Sequence, residues 1–342
     1  MRTAVIDLES PRPVWRVPDW AVAAVGDALG DEWQVRRVRS VASSDGDGST
    51  GSDEAEEAAA GAEIYMGWGV PARVMAAGAD SLRWVHSAAA GVRASITPAL
   101  RASRARFTNS RAIQAEPMAD WILSAIGFCF RGFHLAVTAQ RERRWAKDAF
   151  TDGSTSVREL EGARVGLVGL GGIGSAVARR CAALGMEVQA VRRRAQRRRP
   201  RGVLWVGGPA ELPELASRSD VLVVTAAHTP STDRIVGGHV LERLPPEAFL
   251  INVARGSLVD EKALLRSLDE GRLAGCVLDV VEQEPLPQAH PFWHHPGVMI
   301  FPHVSSVSSR FWQRQTALLV ENIGRYRAGR KLRNLVDLEA GY

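Results

Sequence analysis

Three apolar, strand-like runs in this 342-residue chain lead into residues that can do acid–base work. They are Ile251-Asn252-Val253-Ala254-Arg255-Gly256, Leu278-Asp279-Val280 continuing to Glu284-Pro285, and Phe301-Pro302-His303. In open α/β sheets, ligands bind beyond the carboxyl ends of strands, so three such ends are expected to converge on one edge. A guanidinium there can hold a carboxylate and polarise the adjoining carbonyl, and an imidazole can protonate a developing alkoxide. A carboxylate within hydrogen-bond reach, roughly 2.6–3.2 Å, orients that imidazole and favours its charged form. Arg255, His303 and Glu284 supply these groups, the set that reduction of a 2-oxo acid by hydride requires. Taken singly, each also fits a structural role: a loop arginine, a turn residue before proline, a histidine satisfied after Pro302. Their joint placement after strands of one sheet favours chemistry.

The hydride source is indicated upstream. Val168 to Gly174 reads Val-Gly-Leu-Gly-Gly-Ile-Gly, directly after the apolar run Val165–Val168 and directly before a helical pattern from Ser175 to Leu184. In that context Gly169 permits a tight turn, Gly171 lets the backbone approach a pyrophosphate, and Gly174 lets helix pack on strand. The free N–H groups of the helix start then face the phosphates. Where the next strand ends, an NAD-specific site carries Asp or Glu to bind the ribose 2′-OH; here stand Arg192, Arg193 and Arg194. Guanidinium groups pair bidentately with phosphate, so NADP(H) is the expected cofactor, with NAD(H) also possible. The later arginines, Arg197 to Arg201, also read as a solvated loop. Asp279 is a candidate for the nicotinamide carboxamide, or a strand-end cap.

The elements that must position these groups follow from periodicity. Thr3–Leu8, Trp33–Val38, Ala62–Met66, Arg83–Ser87 and Arg106–Asn109 read as strands alternating with helices, which predicts a parallel α/β sheet. Between the second and third, Ala42–Gly61 is rich in Ser, Gly, Asp and Glu and reads as a mobile loop leading into a short acidic helix. From Pro117 to about Arg144 the pattern is one long helix with Met118, Trp121, Ile122, Ala125, Ile126 and Phe130 on an apolar face. Seven further strands between Val165 and Phe301 predict a second, doubly wound sheet. Ser308 to about Gly329 is again helical, and the tail is expected to return to the first domain. The expectation is an α/β chain of two Rossmann-like parallel-sheet domains with a cleft between them: residues 1–110 plus 307–342 bind substrate, and the inserted residues 111–306 bind the dinucleotide.

Composition bounds the alternatives. With 46% hydrophobic and 24% charged residues the chain can build two cores. The formal charge of +5 is concentrated in Arg192–Arg201, seven of whose ten residues are arginine, so a nucleic-acid partner is not expected. Cys129, Cys181 and Cys276 lack metal-ligand spacing and read as reduced core residues; no metal is expected. No apolar run approaches membrane-spanning length, and the N-terminus reads as a strand, which gives a cytoplasmic expectation.

Taken together these residues resemble the D-isomer-specific 2-hydroxyacid dehydrogenase family. The resemblance covers nearly the whole chain: Trp84-Val85-His86-Ser87-Ala88-Ala89-Ala90-Gly91-Val92, Pro117-Met118-Ala119-Asp120-Trp121, Leu170 to Gly174, Asn252 to Gly256, Leu278-Asp279-Val280, Glu284-Pro285 and Pro302-His303. It implies that Arg255 binds substrate, that Glu284 tunes His303, and that His303 is the general acid in reduction and base in oxidation. It further implies that backbone N–H groups of Ala90, Gly91 and Val92 clasp the substrate carboxylate. Gly172 and Ile173 would touch the pyrophosphate, Thr225, Ala226 and Ala227 would line the adenosine side, and Val253, Ala254 and Asp279 would neighbour the nicotinamide. A homodimer formed through the long helix is implied as well. Trp68 lies near a substrate-facing aromatic of glyoxylate and hydroxypyruvate reductases, and also reads as a core tryptophan. Asp120 and Phe301 depart from the glutamate and threonine common in the family. Formate dehydrogenases usually carry glutamine where Glu284 stands, so that activity is not expected. A dinucleotide-sensing binding protein of corepressor type is the alternative from another functional class.

Overall fold

The computed structural model describes residues 1–42, 48–153, 157–339 and 341. The chain divides into two compact units, Met1–Gln114 with Val307–Tyr342, and Ala115–Ser306.

The first unit holds a five-stranded parallel sheet of β1 (Arg2–Asp7), β2 (Trp33–Arg37), β3 (Ile64–Gly67), β4 (Trp84–Ser87) and β5 (Arg106–Asn109), in the order β2-β1-β3-β4-β5. The strand order reverses between β1 and β3, the point at which a doubly wound sheet offers its crevice. Trp68 follows β3 directly. Strands buried on both faces read as continuous apolar runs, and β3 and β4 are buried at every position. One face packs Ile6, Met66 and Trp84 against the helices Asp19–Leu29 and Phe311–Arg327; the other packs Val5, Tyr65 and Val85 with Val74 and Leu100. The acidic helix expected after the Ser/Gly-rich segment is present at Asp53–Ala59, capped by Ser52, whose hydroxyl accepts from the N–H of Ala55 at 3.1 Å. Residues 43–47 of the segment read as a mobile loop lie outside the described residues.

The second unit carries β6 (Arg164–Val168), β7 (Glu187–Val191), β8 (Val203–Gly207), β9 (Val221–Val224), β10 (Phe249–Asn252), β11 (Gly275–Leu278) and β12 (Val298–Ile300). All are parallel, in the order β12-β11-β10-β9-β6-β7-β8, with the reversal between β6 and β9. The α/β, doubly wound expectation therefore holds for both sheets.

The single helix expected from Pro117 to Arg144 is instead two, Ala115–Phe130 and Phe133–Arg141, bent by 69°. Gly132 takes a left-handed φ of +64° and its N–H bonds the carbonyl of Cys129, a glycine helix stop. A Cβ there would lie 3.0 Å from the Phe150 ring. Among the described residues no single helix is long and apolar enough to cross a membrane.

The C-terminal helix is tied to the first sheet by a buried polar network. Gln315 Nε2 donates to His86 Nε2 at 3.0 Å, which leaves Nδ1 to carry the ring proton and donate to Thr108 Oγ1 at 2.9 Å. The Trp84 indole N–H donates to the same Thr108 oxygen, and Ser110 Oγ lies 2.7 Å from Gln315 Oε1. Burial pushes His86 down to about 3, so it folds neutral. An unfolded chain then binds more protons than the folded one between about pH 3 and the ordinary histidine value of 6.5. Stability from this group is complete above that window and falls as pH drops through it, by at most about 1.4 kcal/mol per pH unit. Urea unfolding at pH 7 and pH 5 should show a steeper loss in wild type than in His86→Gln; equal slopes would remove His86 as the titrating group.

Candidate active site

At the end of β6 the chain turns at Gly169, whose φ of +103° suits glycine, and a Cβ there would lie 2.7 Å from the backbone N of Ala226. A Cβ on Gly174 would lie 2.3 Å from the carbonyl oxygen of Gly169, so strand and helix approach only as glycines. A Cβ on Gly171 meets nothing within 4 Å. The three glycines thus have the geometry that a pyrophosphate cradle requires. The helix begins at Gly172, so Gly172, Ile173 and Gly174 present first-turn N–H groups. Thr225 Oγ1 donates to the Gly169 carbonyl at 2.8 Å and fixes Thr225–Ala227 beside the turn. The residues present fit a dinucleotide.

The three arginines after β7 do not stand alike. Arg192 turns onto its own loop, its Nη2 donating to the carbonyls of Arg197 and, at 3.2 Å, Arg198. Arg192 therefore braces the segment Ala195–Arg198, while Arg193 and Arg194 are exposed.

Arg255, Glu284 and His303 come together in the second unit. His303 Nδ1 lies 2.8 Å from Glu284 Oε2, and Glu284 Oε1 accepts from the N–H of Val281 at 3.2 Å. Burial alone would raise the Glu284 carboxyl, but the bond to His303, that residue's charge, the Val281 N–H and nearby Arg255 together hold it below its ordinary value. With Nδ1 given to Glu284, the ring atom left to exchange a proton is Nε2.

Two devices set this geometry. His303 has a φ of +56°, costly for a residue with a Cβ, and three successive N–H groups hold it there: His303 to the Asp279 carbonyl at 2.8 Å, Val304 to Oδ1 at 2.7 Å and Ser305 to Oδ2 at 3.0 Å. The buried Asp279 carboxylate holds the histidine loop with one N–H on each oxygen, a positioning role that leaves a lone pair on each for a further donor. The second device is Gly256. A Cβ there would fall 1.9 Å from the carbonyl carbon of Val281 and 2.2 Å from Glu282 N, so only glycine lets the Arg255 turn touch the turn carrying Glu284. Asn252, buried, staples the first of these turns by accepting from Ala254 N at 3.0 Å and donating to the Arg255 carbonyl at 2.9 Å. Val253 and Ala254 are thereby fixed beside Arg255.

In the first unit, Ser87 to Val92 form a loop after β4. Ser87 Oγ accepts from Ala89 N, Asn109 Nδ2 donates to the Ala90 carbonyl at 2.8 Å, and Ser110 N donates to the Ala89 carbonyl at 3.2 Å. Within the described residues the N–H groups of Ala90, Gly91 and Val92 have no protein acceptor, three successive donors of the kind that bind a carboxylate. Trp68 lies in a ring cluster, stacked on Phe311 (5.8 Å) and edge-on to Trp15 and Trp312, and its buried Nε1 has no hydrogen-bond partner among the described residues. Phe301 packs edge-on against Trp121 at 4.9 Å, and Asp120 pairs with Arg180 at 2.7 Å, giving both departures from the family pattern a structural use.

Asn109, Asn252, Gly256 and the positioning role of Asp279 were not read from the sequence. The two asparagines at strand ends are turn-forming residues and carried a usable signal. Gly256 and Asp279 act on residues more than twenty positions away, which spacing does not show.

A family model described as D-isomer specific 2-hydroxyacid dehydrogenase, NAD binding domain, matches residues 123–305. The glyoxylate/hydroxypyruvate reductase A of Serratia proteamaculans is 32% identical over 231 residues, 67% of this chain and 69% of that protein. Solved structures also match over the full length of both chains. A D-isomer specific 2-hydroxyacid dehydrogenase from Xanthobacter autotrophicus Py2, in complex with NADPH and MES, shares 29% identity with a TM-score of 0.81. An NADPH-dependent glyoxylate/hydroxypyruvate reductase from Sinorhizobium meliloti, in complex with NADP and sulfate, shares 26% with a TM-score of 0.79.

Gly256→Ala should force the two turns apart and lower kcat by about 100-fold, with dinucleotide affinity kept within about threefold because the atoms that Cβ crowds belong to Val281 and Glu282 and not to the glycine turn. Steady-state kinetics with a fluorescence titration of the dinucleotide checks this; unchanged kcat would refute the close-contact account.

Proposed function

Because the chain belongs to the D-isomer specific 2-hydroxyacid dehydrogenase family, we propose that it is an NADPH-preferring reductase of small 2-oxo acids, with glyoxylate and hydroxypyruvate as leading substrates. The observation that carries the reading is the 2.8 Å contact between Glu284 and His303 beside Arg255. The bound nicotinamide supplies the hydride. Arg255 holds the substrate carboxylate and polarises the carbonyl. His303 Nε2 delivers the proton to the oxygen that becomes the hydroxyl, while Glu284 keeps the ring oriented and stabilises its charge. In oxidation the same atom takes the proton back. Glu284 must be ionised to do this, and its lowered value keeps it so below the ordinary carboxylate range. The acid limb of activity therefore lies low, and activity is lost as pH falls through that lowered value.

NADPH preference rests on Arg193 and Arg194 standing where an acidic residue would repel the 2′-phosphate. The reductases of the family from Serratia and Sinorhizobium are named for glyoxylate and hydroxypyruvate. We also propose a homodimer through the paired helices Ala115–Phe130 and Phe133–Arg141, on which Phe133 and Val137 are exposed.

Consumption of NADPH and NADH with a panel of 2-oxo acids tests the function. The expected result is turnover of glyoxylate and hydroxypyruvate with NADPH favoured, and a loss of that preference by about tenfold or more in the Arg193→Ala, Arg194→Ala double variant. Tight NADPH binding without consumption of any acid would overturn the reading in favour of a dinucleotide-sensing protein. An unchanged preference in the double variant would refute the phosphate clamp.

A further inference from the structure

The turn Val281–Glu284 has two inward N–H groups, and they are divided between two carboxylates. Val281 donates to Glu284 itself, and Glu282 donates to Glu261 Oε1 at 2.6 Å. Glu261 is the first residue of the helix Glu261–Asp269, whose start is fixed independently by Asp260 accepting from Ala263 N. Its side chain is only 14% exposed, and its second oxygen faces His290 Nε2 at 3.8 Å. His290 Nδ1 accepts from the N–H of Phe292, so even the neutral ring carries its proton on Nε2, toward Glu261. Glu282 turns its own carboxylate the other way, to Arg234 at 3.0 Å.

We infer that Glu261 is a positioning residue for the reaction: by holding the N–H of Glu282 it fixes the turn from which Glu284 reaches His303. The inference rests on the roles proposed for Glu284 and His303. Gly256 presses on one side of the Val281–Glu282 peptide, and Glu261 anchors it through a charge-assisted hydrogen bond, the stronger kind. Without the anchor the turn can rotate about Gly256, and Glu284 loses its fixed distance to the imidazole. The charged groups around the pair are His303 and Arg255 at Glu284, and His290 and Glu282 at Glu261.

The test compares Glu261→Ala with Glu261→Gln, which keeps an oxygen able to accept from Glu282. Glu261→Ala should lower kcat about tenfold or more with the KM for NADPH unchanged. It should also move the acid break of kcat/KM to higher pH, since a loosened Glu284 returns toward its ordinary value. Glu261→Gln should restore most of kcat and the wild-type break. If the alanine variant does not fold, Glu261→Asp, one methylene short, carries the same comparison. An acid break unmoved in the shortened variant, or an equal loss in the glutamine variant, overturns the proposal. Glu284→Gln separates the two levels: full activity there sinks the roles assigned to Glu284 and His303. Inactivity there, beside unaltered Glu261→Ala kinetics, sinks only the anchor.

Discussion

His303 stands in a left-handed backbone conformation that its own side chain disfavours, and the site depends on what keeps it there. Asp279 accepts from three consecutive N–H groups, through its carbonyl and both carboxylate oxygens, and leaves the loop little freedom to relax. Because Asp279 directly follows β11, the sheet itself sets where the imidazole is. Glu284 arrives from the turn beyond the same strand, and Arg255 from the turn beyond β10, the neighbouring strand. The missing side chain at Gly256 lets those two turns meet. The proposed chemistry thus rests on backbone positions within a rigid parallel sheet, with side chains only at the last step.

The same sheet separates two tasks. The reversal between β6 and β9 opens the glycine turn, where packing demands glycine at Gly169 and Gly174 and leaves space at Gly171. Arg255, Glu284 and His303 lie beyond β10 to β12, on the other side of that reversal. A change at one end can therefore spoil catalysis and spare dinucleotide binding. In the first unit, the loop after β4 is held by Asn109 and Ser110, while its N–H groups at Ala90, Gly91 and Val92 find no acceptor among the described residues.

Much of this was legible in the residues because buried parallel strands are apolar runs bounded by turns. β5 and β10 occupy the expected Arg106–Asn109 and Phe249–Asn252, and the glycine turn follows β6. The long helix was misread because apolar periodicity continues through Phe128, Phe130 and Phe133, and a single glycine within such a run does not announce a left-handed φ. That Arg192 differs from its two neighbours was hidden for a different reason. Which guanidinium folds back on its own loop depends on the path of that loop, and composition carries no path. The hold of Asp279 on the histidine loop was hidden because its three acceptor contacts lie with residues more than twenty positions ahead.

The central claim is that His303 transfers the proton. It is tested most directly by His303→Ala, measuring NADPH affinity and the rate of NADPH oxidation with the best 2-oxo acid. The account predicts a fall in kcat of about 10²- to 10⁴-fold with affinity for NADPH unchanged. Catalysis unimpaired in that variant would contradict it.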